Sequence, residues 1–161
     1  MKIIVSVQAK RSSSRGLVHY IAHSKTDPNK EPKIREIFSE YSDQLTVEKS
    51  NDFLKNGSSN KRPSNEELHH LVISLKKEDF NRLGNEEKEK QSSIKRITRH
   101  TMKKFEEAIG ADKLSWAAGI HRNTNNPHVH IAIQKTYFDK NLEKKTVRKI
   151  PTELLPHYEK N

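Results

Sequence analysis

Apolar and polar residues alternate in several short stretches of this chain, a pattern typical of β-strands with one buried face. Residues 3–8 alternate in this way, and so do residues 68–75, where Leu71, Ile73 and Leu75 take the predicted core side. Residues 115–121 and the stretch that begins at His128 have the same period. Residues 136–139 and 145–150 predict a further hairpin that extends the same sheet.

Two stretches have the spacing of amphipathic helices. Residues 16–25 predict a short helix that buries Leu17 and Ile21. Residues 85–109 predict a long helix that Gly110 ends. The apolar stripe of the long helix consists of Ile94, Ile97, Thr101, Phe105 and Ala108. Five cations lie largely off this stripe: Lys95, Arg96, Arg99, Lys103 and Lys104. We interpret them as a solvated helix face in preference to a phosphate-binding one.

Residues 26–66 are poorer in apolar groups and rich in Lys, Glu, Asn and Ser. We predict a loop-rich stretch that is mobile or that orders on a ligand. One short helix is predicted there from Ile34, Ile37, Phe38 and Tyr41. Because strands that are adjacent in sequence pair as hairpins, the whole order predicts an α+β fold in which helices pack on a central, mainly antiparallel sheet.

The composition favours a nucleic-acid partner. The 161 residues suit one domain, residues 1–161, and we expect it to be the N-terminal part of a longer protein. Lys and Arg number 31 against 21 acidic residues, a formal charge of +10, which favours a polyanion. Apolar runs are only a few residues long, so no membrane segment or signal peptide is predicted. The absence of cysteine excludes disulfides, and we expect a cytoplasmic location.

Three histidines, His121, His128 and His130, lie within ten residues of each other. His128 and His130 are separated by one residue, so on a strand both rings face the same way. His121 leaves the apolar face of the preceding strand, and the six residues between His121 and His128 are turn formers. A hairpin would therefore bring all three rings to one end of one sheet face. Three neutral imidazoles without a fourth thiolate ligand describe a catalytic metal site with open positions. The alternative is three surface histidines of a hairpin.

Two segments resemble motifs of a known family. Tyr20 lies in Gly16-Leu-Val-His-Tyr-Ile-Ala-His23, and the histidine pair lies in Asn126-Pro-His-Val-His130. Both are similar to the relaxase, or mobilisation nuclease, domain of conjugative and mobilisable plasmids, a branch of the HUH endonucleases. The order of elements is similar over nearly the whole chain. The resemblance implies a relaxase-like fold, Tyr20 as nucleophile, and His121, His128 and His130 as ligands of a divalent metal ion, with Mg or Mn in use and Zn as an alternative.

The resemblance also implies a reaction and its partners. The substrate would be single-stranded DNA at the origin of transfer of a plasmid or mobile element in a bacterial cytoplasm. Tyr20 would attack the scissile phosphodiester, release a 3′-hydroxyl and stay joined to the 5′-phosphate, and reversal would rejoin the strand. Accessory mobilisation and coupling proteins are the implied protein partners.

The chain departs from the relaxase pattern in the strand before the long helix. Many relaxases have an acidic residue there, whereas this strand has His69 and His70. His70 is a candidate base towards Tyr20 or a group behind a metal ligand; alternatively, either histidine is an exposed sheet residue. One relaxase branch resembles a histidine-nucleophile enzyme, so His19 and His23 are alternative nucleophiles or bases.

Four cations flank the candidate nucleophile: Lys10, Arg11, Arg15 and Lys25. We predict that they hold the DNA backbone, with ordinary surface charge as the alternative. Two other functions compete with the relaxase hypothesis. One is an HUH replication initiator or transposase nuclease, which typically carries its tyrosine after the histidine pair. The other is a noncatalytic, basic DNA-binding module whose histidines bind no ion.

Overall fold

A central sheet of five strands organises the molecule. In the computed structural model, which describes residues 3–7, 15–23, 34–55, 62–122, 124, 126–148 and 150, all neighbouring strands of this sheet are antiparallel. The spatial order is β1 (Ile3–Val7), β3 (Leu68–Leu75), β6 (His128–Gln134), β5 (Trp116–His121) and β2 (Ile37–Phe38). Helices pack on it, so the prediction of an α+β fold with a mainly antiparallel sheet is confirmed.

The helices include the two that the sequence predicts. The described helices are α1 (Leu17–Ala22), α2 (Val47–Leu54), α3 (Lys77–Asn81) and α4 (Glu87–Ile109), with a short 3-10 helix at Asn65–Glu67. Gly110 ends α4 as predicted, with a left-handed φ of 72°. Among the described residues, no helix combines the length and the apolar character that a membrane crossing requires.

α4 covers one face of the central sheet. Ile94, Met102 and Phe105 are fully buried in an apolar cluster with alternate residues of β3, β5 and β6, because alternation sends those side chains to one side. Ala108, which the sequence places in the stripe, is exposed. The last turn of α4 instead buries Glu106, whose carboxylate accepts a hydrogen bond from the backbone N–H of Leu114.

α1 and α2 cover one end of the opposite face. Leu17, Val18 and Ile21 of α1 and Leu54 of α2 belong to a second apolar cluster. The sheet contributes the small side chains of Ala117 and Ala132 together with Leu68. The other end of this face carries histidines, so the two faces of one sheet have different chemistry.

The short helix predicted from Ile34, Ile37, Phe38 and Tyr41 is wrong. Ile37 and Phe38 form β2 and pair with Gly119 and Ala118. Phe38 is buried in the cluster under α4, and Ile37 in the cluster under α1. Burial on both faces of the sheet edge overrides the helical spacing. The loop-rich stretch at 26–66 also contains α2, although residues 26–33 and 56–61 lie outside the described residues.

The predicted hairpin at 136–139 and 145–150 forms, but it does not extend the central sheet. β7 (Thr136–Asp139) lies between β8 (Lys144–Thr146) and β4 (Ala111–Lys113) in a separate three-stranded sheet. The chain leaves the central sheet at Lys135, whose backbone bonds to Glu67 and Val147. Val147 and Ile150 then pack into the cluster under α4 instead of continuing the strand.

Candidate functional site

Strand pairing gathers histidines on the face opposite α4. His130 of β6 pairs with Val72 of β3 and Gly119 of β5, and His128 pairs with His121. Because side chains alternate along each strand, the rings on these strands project to the same side. We call the four rings on this side the histidine cluster: His70, His121, His128 and His130.

The four rings are in contact. His121 and His130 are stacked, with ring centroids 3.9 Å apart and planes 21° apart. The His128 ring centroid lies 6.3 Å from that of His130. His70 Nε2 lies 2.9 Å from His130 Nδ1, at hydrogen-bonding distance. The sequence pattern identified the three rings of the hairpin and named His70 as a candidate group behind a metal ligand, and the structure places His70 next to His130.

Hydrogen bonds constrain the proton positions in the histidine cluster. His121 Nε2 lies 3.0 Å from the carbonyl oxygen of Ile21, so Nε2 carries the proton and Nδ1 the lone pair of the neutral ring. His128 Nδ1 lies 3.4 Å from the Thr124 hydroxyl. His70 Nδ1 is buried without a hydrogen-bond partner among the described residues.

Burial favours the neutral form of three rings of the cluster. It lowers the pKa of His70 to about 4 and that of His130 to about 2, and it also lowers the pKa of His128. Near His130, the neighbouring histidines and Arg35 lower the pKa further. At neutral pH these imidazoles therefore present lone pairs, the form that binds metal ions.

The imidazole nitrogens of the cluster have the chemistry to bind a divalent metal ion, but the side chains are less well arranged to hold one. Neutral imidazole suits Zn better than Mg, and a ligating histidine usually donates its other N–H to a carbonyl, as His121 does. Among the described residues, however, no three His, Cys, Asp or Glu side chains are arranged to hold an ion. Because the His121 and His130 rings are nearly parallel, one of them would have to rotate before both could contact the same ion.

α1 brings Tyr20 to the cluster. The Tyr20 ring packs edge-on against His70, with centroids 6.2 Å apart and planes 76° apart. The approach depends on Gly119, because a Cβ there would lie 2.9 Å from Ile21 Cγ2. Residues that are far apart in sequence thus form one site.

The other candidate histidines lie elsewhere. His19 and His23 stack on each other, with centroids 3.8 Å apart. Burial, followed by the charges of His23, Arg15 and Arg62, lowers the pKa of His19. His69 points to the opposite face from His70, and its Nε2 lies 2.6 Å from the Val147 carbonyl oxygen. Among the described residues it is Tyr20 that makes a ring contact with the cluster.

Arg35 is a site residue that the sequence did not reveal. It is 7% exposed, and Nη1 donates to the carbonyl oxygens of Ile21 at 3.1 Å and His23 at 2.9 Å. The Ile21 carbonyl therefore accepts from both Arg35 and His121. Its only sequence signal is an arginine between Ile34 and Ile37, which does not distinguish a buried cation from a surface one.

The turn between the histidine strands is anchored to the neighbouring helices. Arg122 pairs with both carboxylate oxygens of Glu87, at 2.9 and 3.0 Å, and lies 4.3 Å from the centroid of the Phe80 ring. Asn126 Oδ1 accepts from the backbone N–H of Lys77 at the start of α3. These contacts fix the ends of β5 and β6, where His121 and His128 lie.

The predicted DNA-binding cations are only partly described. Arg15 is exposed next to α1, whereas Lys10, Arg11 and Lys25 lie outside the described residues. Arg62, which the sequence did not single out, lies against Gly16, the residue after Arg15. Its side chain passes over Gly16, where a Cβ would lie 3.0 Å from Arg62 Cδ.

The α4 cations lie on the far side of the sheet. Arg99 donates to the Ser39 and Ser42 carbonyl oxygens and to Asp43, and Lys103 pairs with Glu106 at 3.1 Å. These bonds fasten residues 39–43 and the end of α4. Arg99 and Lys103 are thus bound to protein acceptors, whereas the sequence predicts a solvated helix face.

Comparison with known proteins identifies a family. A family model described as MobL relaxases matches residues 6–155. Neither the curated proteins nor the solved structures contain a match to the chain. The matched residues include Tyr20, Arg35 and the whole histidine cluster.

Proposed function

The chain belongs to the MobL relaxase family, and from this premise we propose that it nicks and religates one DNA strand by metal-dependent transesterification. The substrate is single-stranded DNA at the origin of transfer of a plasmid or mobile element. The intermediate is a 5′-phosphotyrosyl link to Tyr20. The site in this proposal consists of the histidine cluster and the residues around it.

The contact from Tyr20 through His70 to His130 is the observation that best supports the proposal. A nucleophile and a phosphate-binding group must be close enough to act on one phosphorus atom. α1 supplies the tyrosine, and β5 and β6 supply the hairpin histidines within the same cluster. The tyrosine precedes the histidine pair in the chain, which favours the relaxase over a replication initiator or transposase nuclease.

The proposed chemistry exchanges one ester for another. Tyr20 Oη attacks the phosphorus, a bond forms between them, and the bond from phosphorus to the 3′-oxygen breaks. An ordinary tyrosine phenol is protonated at neutral pH, so its proton leaves to solvent while the 3′-oxygen takes one up. Religation reverses each change. Because the phosphotyrosyl ester keeps the energy of the broken phosphodiester bond, religation needs no other energy source.

His70 supports His130 in this proposal instead of acting as the base. Its pKa of about 4 makes it a weak base. If His130 Nδ1–H donates to His70 Nε2, His130 Nε2 keeps its lone pair and His70 Nδ1 carries a proton. That Nδ1 is the buried atom without a described partner, and a phenolate or phosphate oxygen would give it an acceptor.

His121, His128 and His130 are the residues that would hold the metal ion; the family resemblance implies Mg or Mn as the proposed ion, and Zn, which imidazole ligands suit, is the alternative. When bound, the ion supplies positive charge to the non-bridging phosphate oxygens. Arg15, together with Lys10, Arg11 and Lys25, is proposed to bind the DNA backbone. Accessory mobilisation and coupling proteins are the proposed protein partners.

A covalent adduct tests the proposal. The protein is incubated with Mn²⁺ and labelled single-stranded DNA that spans the transfer origin of its element, and the product is denatured. A labelled protein band is expected, and Tyr20→Phe should abolish it. Tyr137→Phe is the matched control, because Tyr137 lies on β7 and its hydroxyl donates to the Ile109 carbonyl oxygen, outside the site.

Two results would contradict the proposal. An adduct that survives Tyr20→Phe and is lost on acid treatment would move the nucleophile to His19 or His23, since phosphohistidine is acid-labile. No adduct, together with no change in thermal stability on adding Mn²⁺, would favour a noncatalytic DNA-binding module.

A further inference from the structure

A cavity lies at the end of β5 opposite His121. It is lined by residues 39–41, Leu45, Phe53 of α2 and residues 113–116, and its volume is about 280 Å³. That volume is near the lower limit, about 300 Å³, of pockets that hold small molecules. The site described above makes no use of it.

Aromatic side chains form its walls. Tyr41 is 79% exposed and Phe53 is also exposed, while the buried Trp116 forms the floor and packs edge-on against Phe38. Exposed aromatic rings around an apolar concavity are typical of binding sites. A flat ring that stacks between Tyr41 and Phe53 would bury these two side chains, which are now exposed to water.

The charges around the cavity favour a ligand whose neutral ring lies inside the cavity and whose phosphate lies at the rim. Lys113 Nζ lies 5.5 Å from the centroid of the Tyr41 ring, at the rim. Glu40 lines the wall, so an anion inside the cavity would be repelled. A nucleobase carries no charge, and the phosphate attached to its sugar would reach the Lys113 side of the rim.

The cavity is within reach of a strand held at Tyr20. The distance along β5 from Trp116 to His121 is roughly 17 Å, five residues at the rise of a strand. α2, which carries Phe53, packs beside α1, which carries Tyr20, in the same apolar cluster. A few nucleotides of extended single strand span this distance.

We propose that this cavity binds one base of the single-stranded DNA substrate, stacked between Tyr41 and Phe53, with the neighbouring phosphate against Lys113. The inference rests on the proposed function. It assigns a base-binding role to the 39–45 segment, whose contacts with α4 hold Tyr41 in place.

The only tryptophan of the chain gives a direct measurement, because Trp116 lies in the cavity floor. The protein is titrated in EDTA with short homopolymeric deoxyoligonucleotides and with an abasic strand that has the same number of phosphates. Base-containing strands should quench Trp116 fluorescence, and the abasic strand should not. Tyr41→Ala should raise the Kd for base-containing strands about fivefold or more, the usual effect of removing one stacking ring.

Leu142→Ala is the control, since Leu142 is an exposed apolar residue after β7 and outside the cavity, and the Kd of this variant should not change. Thermal unfolding of each variant checks that the fold is intact. Equal quenching by the abasic strand, or an unchanged Kd in Tyr41→Ala, would overturn the inference and leave the cavity to an apolar peptide. The assay in EDTA needs no cleavage, so failure of the Tyr20 adduct and failure of base binding are distinguishable.

Discussion

The Ile21 carbonyl joins the helix that carries Tyr20 to the histidine cluster. It accepts one hydrogen bond from buried Arg35 and another from His121 Nε2. A carbonyl acceptor behind a ligating histidine fixes both its tautomer and its ring orientation. Arg35 therefore acts on His121 through Ile21, and it also fastens the C-terminal end of α1 through the His23 carbonyl.

Arg35→Gln tests this connection. If the histidine cluster holds the metal ion as proposed, the variant should bind Mn²⁺ about 10-fold more weakly, the lower end of the effect of losing an outer-shell partner. Arg35→Lys should restore part of the affinity, because its ammonium can still donate to a backbone carbonyl oxygen although it lacks the forked donor. Isothermal titration measures the Mn²⁺ affinity, and urea unfolding measures the stability separately.

Arg99→Gln is the control for the Arg35 experiment. Arg99 also donates from its guanidinium to two backbone carbonyl oxygens, but it does so from α4 on the other side of the sheet. Both variants should lower stability, and only Arg35→Gln should weaken Mn²⁺ binding. Equal Mn²⁺ affinity in the two variants would mean that Arg35 has a structural role alone.

At the scale of elements, the cations near α1 and those of α4 lie on opposite sides of the central sheet. Arg15→Gln combined with Arg62→Gln should weaken binding of single-stranded DNA and make it less dependent on salt. The slope of log Kobs against log salt should become shallower by about 0.7 for each phosphate that the variant no longer neutralises. Fluorescence anisotropy at several salt concentrations gives this slope.

Arg96→Gln combined with Lys104→Gln removes the same charge from exposed positions of α4 and should leave the slope unchanged. If both double variants reduced the slope equally, net charge and not the location of the cations would determine DNA binding. Both double variants remove two positive charges, so a difference between them reports the effect of where the cations lie.

The predictability of each element follows from its length and from how it is buried. α4 and the strands β3, β5 and β6 have enough residues for a period to be recognised, and the sequence predicts all of them. β2 and β4 have two and three residues, too few to show a period, and partners from elsewhere in the chain determine them. α2 is poor in apolar residues, and its clearest signal is the N-cap Thr46, whose hydroxyl accepts from the Lys49 N–H.

The same distinction applies to the candidate site. Motif spacing identifies Tyr20 and the three hairpin histidines, because strand alternation makes residues share a face. It does not identify Arg35 and Arg62, since their importance depends on which carbonyl or glycine a loop brings next to them. His70 is a candidate from the sequence, but its contact with His130 requires the pairing of β3 with β6.

At the scale of the whole molecule, the buried histidines make stability depend on pH. His70 and His130 have folded-state pKa values of about 4 and about 2, below the ordinary 6.5. Their neutral forms therefore contribute stability above pH 6.5, and this contribution is lost as pH falls, because the unfolded chain binds protons first. In metal-free protein, each histidine should add a slope of up to about 1.4 kcal/mol per pH unit between pH 6.5 and 4.

Urea unfolding at a series of pH values measures this dependence. His70→Gln should lower the slope in that window by up to one proton equivalent, since the variant has no group there to titrate. A wild-type stability that stays constant from pH 6.5 to 4 would mean that these rings are protonated in the folded protein.

The central sheet also separates the α4 side, where a chemical attachment can be made, from the side that carries Tyr20 and the histidine cluster. Lys104 is exposed on α4, on the opposite side of the sheet from Tyr20, and the chain has no cysteine. A thiol introduced by Lys104→Cys would therefore be unique. Protein coupled to a glass surface through that thiol would direct its histidine side towards solution, so that individual DNA strands could be captured and followed one molecule at a time.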